Sequence, residues 1–286
     1  MNLGKKFKNL YYNLLDQFYV SLDKKYVKRT NNIKLIPEYK HRRGGKVSYG
    51  EWSHVVGIFQ TLLYFIVGGR KNLTILDIGC GTGLLGIASR PFVTDSGKYI
   101  GMDVRKKEIE FCQSNFRWPN FEFIHFDVHN ARYANNQERG NKNWSIESKS
   151  IDILAALSVW THMIGNDAQF YLAEVSRVLK SDGKAIITFF LLDKIYVDSL
   201  SQRKNGVGRF HSTRQENWIF DRKAYDSEHW YTPKWTKIPE DAIGVTDLRF
   251  QELLKSAGLK VSAYYPGNWK EIPGLYFQDV IVLEKA

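Results

Sequence analysis

The run Asp77-Ile78-Gly79-Cys80-Gly81-Thr82-Gly83 carries the strongest chemical signal in the chain, between an apolar stretch and a helical one. Glycines let a backbone turn sharply and approach a ligand, because no Cβ intervenes. The helix that follows aims its unpaired N–H groups into the same space. An overlapping match, Gly81-Thr82-Gly83-Leu84-Leu85-Gly86, fits the dinucleotide pattern GxGxxG. In that fold the first glycine directly follows the strand, a place held here by Gly79. A carboxylate two residues before that glycine would crowd a pyrophosphate, whereas Asp77 suits the ammonium end of an amino acid. The pattern therefore favours a ligand with a cationic amino-acid tail and no phosphate.

Two further acids end the next two strand-like runs. Asp103 stands where a carboxylate can accept hydrogen bonds from ribose hydroxyls. Asp127 is placed to accept from an adenine amino group, with Val104 and Val128 offering apolar faces to the ring. After the fourth strand comes Ser158-Val159-Trp160-Thr161-His162-Met163, on the ligand side of an open sheet. His162 is the first candidate for a general base, a role that needs a pKa near neutral; its structural alternative is to orient the next helix. His54, His211 and His229 are weaker candidates. No metal-ligand set assembles: Asp152 begins a strand at the wrong end, and Asp193 lacks a partner.

These residues need a scaffold, and the pattern supplies one. Strands are predicted at 73–78, 98–102, 121–126, 151–157 and 184–190, with helices at 84–89, 106–115 and 168–179 between them. Such alternation predicts an α/β fold with a mainly parallel sheet covered on both faces. A helix over 248–257, stopped by Gly258, leads to strands at 260–265 and 277–283 joined by a Pro/Gly-bearing loop, which predicts an antiparallel edge. Two stretches interrupt the alternation, a polar one at 134–150 and a long one at 194–246.

ILDIGCGTG, GMDV, FDV, IDILAALSVWTHM and a helix running into VLKSDG together make residues 73–190 similar to the class I S-adenosylmethionine-dependent methyltransferases. The closing helix and strands extend the resemblance to most of 73–284. It implies a Rossmann-like fold whose seven-stranded, mainly parallel sheet ends in an antiparallel strand, with helices on both faces. It also implies S-adenosylmethionine as methyl donor, S-adenosylhomocysteine as product, and the following cofactor residues. Asp77, Gly79, Gly81 and Gly83 would line the methionine side, Asp103 the ribose, and Asp127 with Val128 the adenine; Val104 and Ser158 complete the set. The expected division is an N-terminal helical cap over 1–70 and a methyltransferase domain over 71–286, with a lid inserted at about 194–246.

Composition bears on the acceptor. The chain has 286 residues, enough for a full core, and a formal charge of +11 from 41 basic and 30 acidic residues. That balance suits a polyanion or an anionic membrane, but no dense Lys/Arg run of the kind found in nucleic-acid tails occurs. Aromatics reach 14%, and the 194–246 excursion holds Phe210, Trp218, Phe220, Tyr225, Trp230, Tyr231 and Trp235 with His211 and His229. They either stack on a planar or sugar ring or form a small core of their own.

Tyr49 and Trp52 are expected to close the pocket from the N-terminal side, and Trp160, His211, Trp218 and Trp230 to meet the substrate. In pattern the chain looks more like small-molecule and sugar methyltransferases than RNA ones. The expected reaction is methyl transfer to a hydroxyl of a small molecule or saccharide. An RNA or other polyanion methyltransferase, and a non-catalytic cofactor-binding or membrane-associated partner protein, are the alternatives.

Cys80 and Cys112 are too few for a disulfide framework or a cysteine zinc site, and reduced thiols in a cytoplasmic protein are expected. No secretory leader or bilayer-spanning run is read. Residues 5–29 space Phe7, Leu10, Tyr11, Leu14, Leu15, Phe18 and Leu22 by threes and fours among Lys5, Lys6, Lys8, Lys24, Lys25, Lys28 and Arg29. This is an amphipathic helix, expected to pack its apolar stripe on the domain; peripheral contact with the inner face of a membrane is the alternative. A polar connector at 39–46 follows.

Overall fold

A computed structural model describes residues 3–44, 47–94, 96–130, 132–133, 140–163 and 165–286. Lys46 of the connector, 134–139 of the polar stretch and the side chains of Lys5, Lys6 and Lys8 lie outside the described residues.

In chain order the elements begin with α1 (Leu3–Tyr26), α2 (Tyr49–Val67), β1 (Thr74–Ile78), α3 (Leu84–Ser89), β2 (Lys98–Asp103), α4 (Lys106–Asn115) and β3 (Phe121–His125). They continue with β4 (Ile151–Ala156), α5 (Gly165–Val178), β5 (Leu179–Phe189), β6 (Leu191–Leu192) and α6 (Lys194–Leu200). The last are β7 (Arg222–Lys223), β8 (Trp230–Thr232), β9 (Gly244–Thr246), α7 (Asp247–Ala257), β10 (Leu259–Tyr265) and β11 (Asp279–Lys285). The main sheet has seven strands in the order β10-β11-β5-β4-β1-β2-β3. Strands β1 to β5 run parallel, and β11 pairs antiparallel with both β5 and β10. This is the expected Rossmann-like architecture.

Both faces of the sheet are covered, which is why its central strands read as unbroken apolar runs. On one face α5 and α7 bury Leu172, Val175, Phe250 and Leu253 against Leu154 and Ile187. On the other, α2, α3 and α4 bury Phe59, Leu63, Ile87 and Ile109 against Ile75 and Ile153. Ser48 caps α2 by accepting the Glu51 N–H at 3.0 Å, and Gly68 ends it at φ 57°. The boundary expected at residue 70 therefore does not separate two cores: α2 is one of the helices that cover the sheet.

Helix α1 behaves differently. It meets the body through its polar side, where Asp16 pairs with the buried Arg42 at 3.0 Å and Lys24 Nζ donates to the Ile36 carbonyl at 2.6 Å. Phe7, Leu10, Tyr11, Leu14 and Phe18 are each more than half exposed, so the expected packing of that stripe is corrected. Periodicity marks an apolar face but not the direction in which it is turned.

The 194–246 excursion, expected from sequence as an aromatic lid, carries β7, β8 and β9, which join β6 just before it in a small sheet of order β6-β9-β8-β7. Its root is held by charge. Lys270, fully buried, donates to Asp193 Oδ1 at 2.9 Å and lies 3.1 Å from Asp279 Oδ1. Asp279 also accepts the N–H of Gly267 and of Leu191, each at 2.8 Å. Asp193 caps α6 through the Tyr196 N–H at 3.0 Å, so its neighbours are structural. Removing one member of a buried ion cluster strands the others. Lys270→Met should cost about 3–5 kcal/mol, read by urea unfolding; a loss below 1 kcal/mol would show that the cluster does not hold the root.

Candidate active site

The glycine turn forms because β1 ends beside β2. Gly79 and Cys80 both donate their N–H to the Met102 carbonyl, at 2.8 and 3.0 Å, folding the chain back over the end of β2. Gly79, Gly81 and Gly83 take φ of 70°, 53° and 85°, which side chains with a Cβ rarely adopt. Their surroundings differ. A Cβ on Gly81 would meet nothing within 4 Å, whereas one on Gly83 would lie 2.4 Å from the Phe116 ring. Gly83 is thus a packing position away from the cavity, while Gly79 and Gly81 line it.

The three acids part company. Asp103 lines the cavity and accepts the N–H of Gly81 through Oδ2 and of Arg105 through Oδ1, both at 2.8 Å. Burial raises its pKa, opposed by those two bonds. Asp77 lies behind the turn in the core and accepts the Tyr99 hydroxyl at 2.5 Å. It does not line the cavity, so the expected contact with an ammonium group is corrected. Its side chain leaves β1 toward the α2–α4 face, as strand alternation dictates. Burial pushes its carboxyl up to about 7, with the Tyr99 bond opposing. Asp127 is exposed, while Phe126 and Val128 on either side of it line the cavity. The expected bond from Asp127 to an adenine amino group is corrected on the same ground.

The cavity encloses about 1260 Å³ at the carboxyl ends of the parallel strands. Besides Asp103, its donor end holds Val104, Val128 and Ser158. Three side chains fix the floor there. The Ser158 N–H donates to Thr188 Oγ1 at 2.7 Å, Thr188 donates to Gln278 Oε1 at 2.8 Å, and Gln278 Nε2 donates to Ser158 Oγ at 2.8 Å. His129, next to Val128, lines the cavity with a buried Nδ1 that has no hydrogen-bond partner among the described residues. An open glycine turn, a carboxylate and an unpartnered ring nitrogen beside an apolar wall fit a nucleoside with an amino-acid tail.

His162 also lines the cavity. Its Nδ1 lies 2.7 Å from the Glu240 carbonyl, which can only accept, so the proton sits on Nδ1 and Nε2 is left as an acceptor facing Tyr133 OH at 3.4 Å. Burial, aided by the Arg132 charge, lowers its pKa to about 4, so the near-neutral value expected of it is corrected.

Helix α2 turns Glu51, His54, Val55 and Ile58 to the cavity. Tyr49 and Trp52 point elsewhere: Tyr49 donates to the Ile33 carbonyl at 3.0 Å, and Trp52 is core. Each residue advances the helix by about 100°, so Tyr49 and Trp52 stand on a different face from Glu51 and His54, and the expected pair is corrected by rotation. Trp230 is buried beneath the small sheet and does not line the cavity, a further correction. Trp160 touches the cavity from the core, donating to the Ala168 carbonyl at 3.3 Å.

His211 and Trp218 do line the cavity, with Phe210, Tyr225 and Trp235. His211 Nε2 donates to Glu271 Oε1 at 2.8 Å, and Trp218 Nε1 donates to Thr213 Oγ1 at 2.7 Å. The Thr213 hydroxyl lies 2.8 Å from His211 Nδ1. Glu271, Gln278, Tyr133 and Arg132 were not found from sequence, because no motif surrounds them.

Residues 70–234 match the family model described as a methyltransferase domain. The chain belongs to that family. The end of the cavity at the glycine turn fits S-adenosylmethionine, the methyl donor that the sequence resemblance implies. A ubiquinone biosynthesis O-methyltransferase of Pelagibacter ubique is 28% identical over 113 residues, 40% of each chain. A ribosomal protein L11 methyltransferase of Dictyoglomus thermophilum is 26% identical over 150 residues, 52% of this chain and 43% of that one. The methyltransferase chain thus spans less than half the length of these curated relatives. A solved Pyrococcus horikoshii protein shares the fold, with a TM-score of 0.53 at 16% identity over 91% of this chain and 100% of its own.

Asp103→Ala should weaken S-adenosylhomocysteine binding roughly ten- to a hundredfold by calorimetry, while Asp77→Asn leaves it unchanged. A loss in Asp77→Asn alone would return Asp77 to the ligand. For stability the sign follows from the raised pKa of Asp77. Between 3.8 and about 7 the folded chain binds the extra proton, so its stability falls as pH rises through that window. Asp77→Asn should flatten this part of the unfolding free energy measured against pH.

Proposed function

We propose that this methyltransferase moves the methyl group of S-adenosylmethionine to a hydroxyl of a small molecule, with a saccharide as the favoured class. The observation that carries the reading is the size and two-sidedness of the cavity. At about 1260 Å³ it exceeds the range of about 300–1,000 Å³ usual for one ligand, and so has room for donor and acceptor together. One end is the glycine turn with Asp103, and the other is walled by Phe210, Trp218, Tyr225 and Trp235. Flat aromatic faces suit the apolar face of a sugar ring, and His211, Thr213, Glu240 and Asp241 set polar atoms around it for hydroxyls.

The bound donor supplies an already activated methyl group on a sulfonium. What the chain must do is hold Gly79, Gly81, Asp103, Val104, Val128 and Ser158 around it, exclude water and take one proton. His162 takes that proton in this reading, as a weaker base than a near-neutral histidine but one whose ring stays neutral and able to accept throughout the neutral range. Its Nδ1–H is spent on Glu240, so Nε2 is unprotonated and faces the hydroxyl of Tyr133, which lines the same cavity.

A polyanion acceptor is less well served. Arg43 and Arg105 both meet Glu108, at 2.8 and 3.0 Å, and Arg132 meets Asp241 at 2.9 Å, so the arginines of the cavity already face carboxylates. A competing base is supported by one observation, the Glu271 carboxylate that holds His211 by its Nε2 proton.

His162→Ala should lower kcat by about 10²–10⁴ while S-adenosylhomocysteine binding is unchanged. Because its pKa is lowered to about 4, the neutral ring persists through the neutral range, and the rate should fall only as pH drops toward that value. The measurement is turnover of candidate sugars, followed by release of S-adenosylhomocysteine, from pH 4 to 9. A break at neutral pH that survives in His162→Ala and vanishes in His211→Ala would move the proton to the second histidine.

A further inference from the structure

Helix α1 is amphipathic in the reverse of the usual sense. A surface helix ordinarily buries its apolar stripe and shows water its charges. Here the side that meets the body holds on by polar contacts, with Val20 half-buried between them. Asp16 reaches Arg42, and Lys24 donates to the Ile36 carbonyl. Phe7, Leu10, Tyr11, Leu14 and Phe18, spaced by threes and fours, are turned to solvent along the length of the helix. Continuous apolar area of this kind on a folded surface marks an interaction.

Charge and residue type choose among occupants. Asp16 lies two residues from both Leu14 and Phe18, on the opposite side of the helix, so the stripe itself carries no acid. Lys25 stands in line with the stripe, and Lys28 and Arg29 follow it, all exposed. Tyr12, Tyr19 and Tyr26 recur every seven residues along one flank, each more than half exposed. Tyrosine beside leucine and phenylalanine, with lysine at the end, is the composition of a helix lying in the headgroup layer of an anionic bilayer. A second copy of the chain laid on the same stripe would bring its own lysines along and gain no opposite charge. Among the described residues no helix is long and apolar enough to cross a membrane, so contact in the plane of the surface is the mode that remains for this helix.

We propose that α1 docks the protein on an anionic phospholipid surface through this stripe. The docked helix would also place the cavity. Arg42, which Asp16 grips, is followed directly by Arg43 and Gly44 of the cavity wall.

The test is sedimentation of the full chain with vesicles of phosphatidylcholine alone and of phosphatidylcholine mixed in equal parts with phosphatidylglycerol. The chain should pellet with the mixed vesicles, remain in solution with the neutral ones, and be released as salt is raised. The double variant Leu14→Glu, Phe18→Glu should partition at least about tenfold less, with S-adenosylhomocysteine binding retained as proof of folding. Should that variant misfold, Lys25→Glu with Lys28→Glu keeps the stripe and should lower partition at least about fivefold. Equal recovery in solution with both vesicle types would overturn the proposal. So would a wild-type dimer in sedimentation velocity that Phe18→Glu dissociates, since that outcome assigns the stripe to a second copy. None of these readouts requires methyl transfer, so they stand or fall apart from the acceptor.

Discussion

At the carboxyl ends of β1 and β4, neighbouring parallel strands send their chains in opposite directions, and the rest of the site depends on that parting. β1 pairs with β2 on one side and β4 on the other, and the sheet order β4-β1-β2-β3 makes this the switch point. No connection can lie over a switch point, so a crevice opens there. The crevice exposes backbone that must find partners. Asp103 satisfies two such N–H groups, those of Gly81 and Arg105, and in doing so holds the glycine turn open toward the ligand. The ring of Ser158, Thr188 and Gln278 does the same for the ends of β4 and β5. Polar side chains here stabilise the shape of the cavity before any ligand enters it.

The N-terminal segment belongs to this arrangement and is not an added lid. Thr82 of the glycine turn donates to the His41 carbonyl at 2.6 Å, and Arg43 reaches Glu108 of α4. Helix α2 lies in the core beneath the sheet and lends Glu51 and His54 to the cavity by the face opposite Tyr49. Arg42 thus joins α1 to the segment that carries Arg43 and Gly44 of the cavity wall.

The excursion divides its aromatics between two tasks. Tyr196 and Phe220 pack with Trp269 of the β10–β11 connection around Phe190 as a small core, while Phe210, Tyr225 and Trp235 face the cavity. Trp218 serves both. The buried core gives the excursion rigidity, and the Lys270 cluster ties its root to β11. Aromatic content alone could not have separated these groups, since burial and ligand contact favour the same residue types.

The sequence by itself determined the alternation of strands and helices, the turn at Gly79–Gly83 and the placement of Asp103, because each follows from local chain geometry. Periodicities of two and of three to four fix which elements form, and glycines fix where a backbone can turn. What the tertiary structure alone decided is the direction in which side chains point. Asp77, Asp103 and Asp127 look equivalent as three acids near three strand ends, yet only Asp103 lines the cavity; Asp77 is drawn into the core by Tyr99, and Asp127 faces solvent. The same holds for the pairing of His211 with Glu271, sixty residues apart. It holds for the lowered pKa of His162 and for the outward turn of α1. Each of these depends on neighbours that fold back from elsewhere in the chain, and no local pattern encodes them.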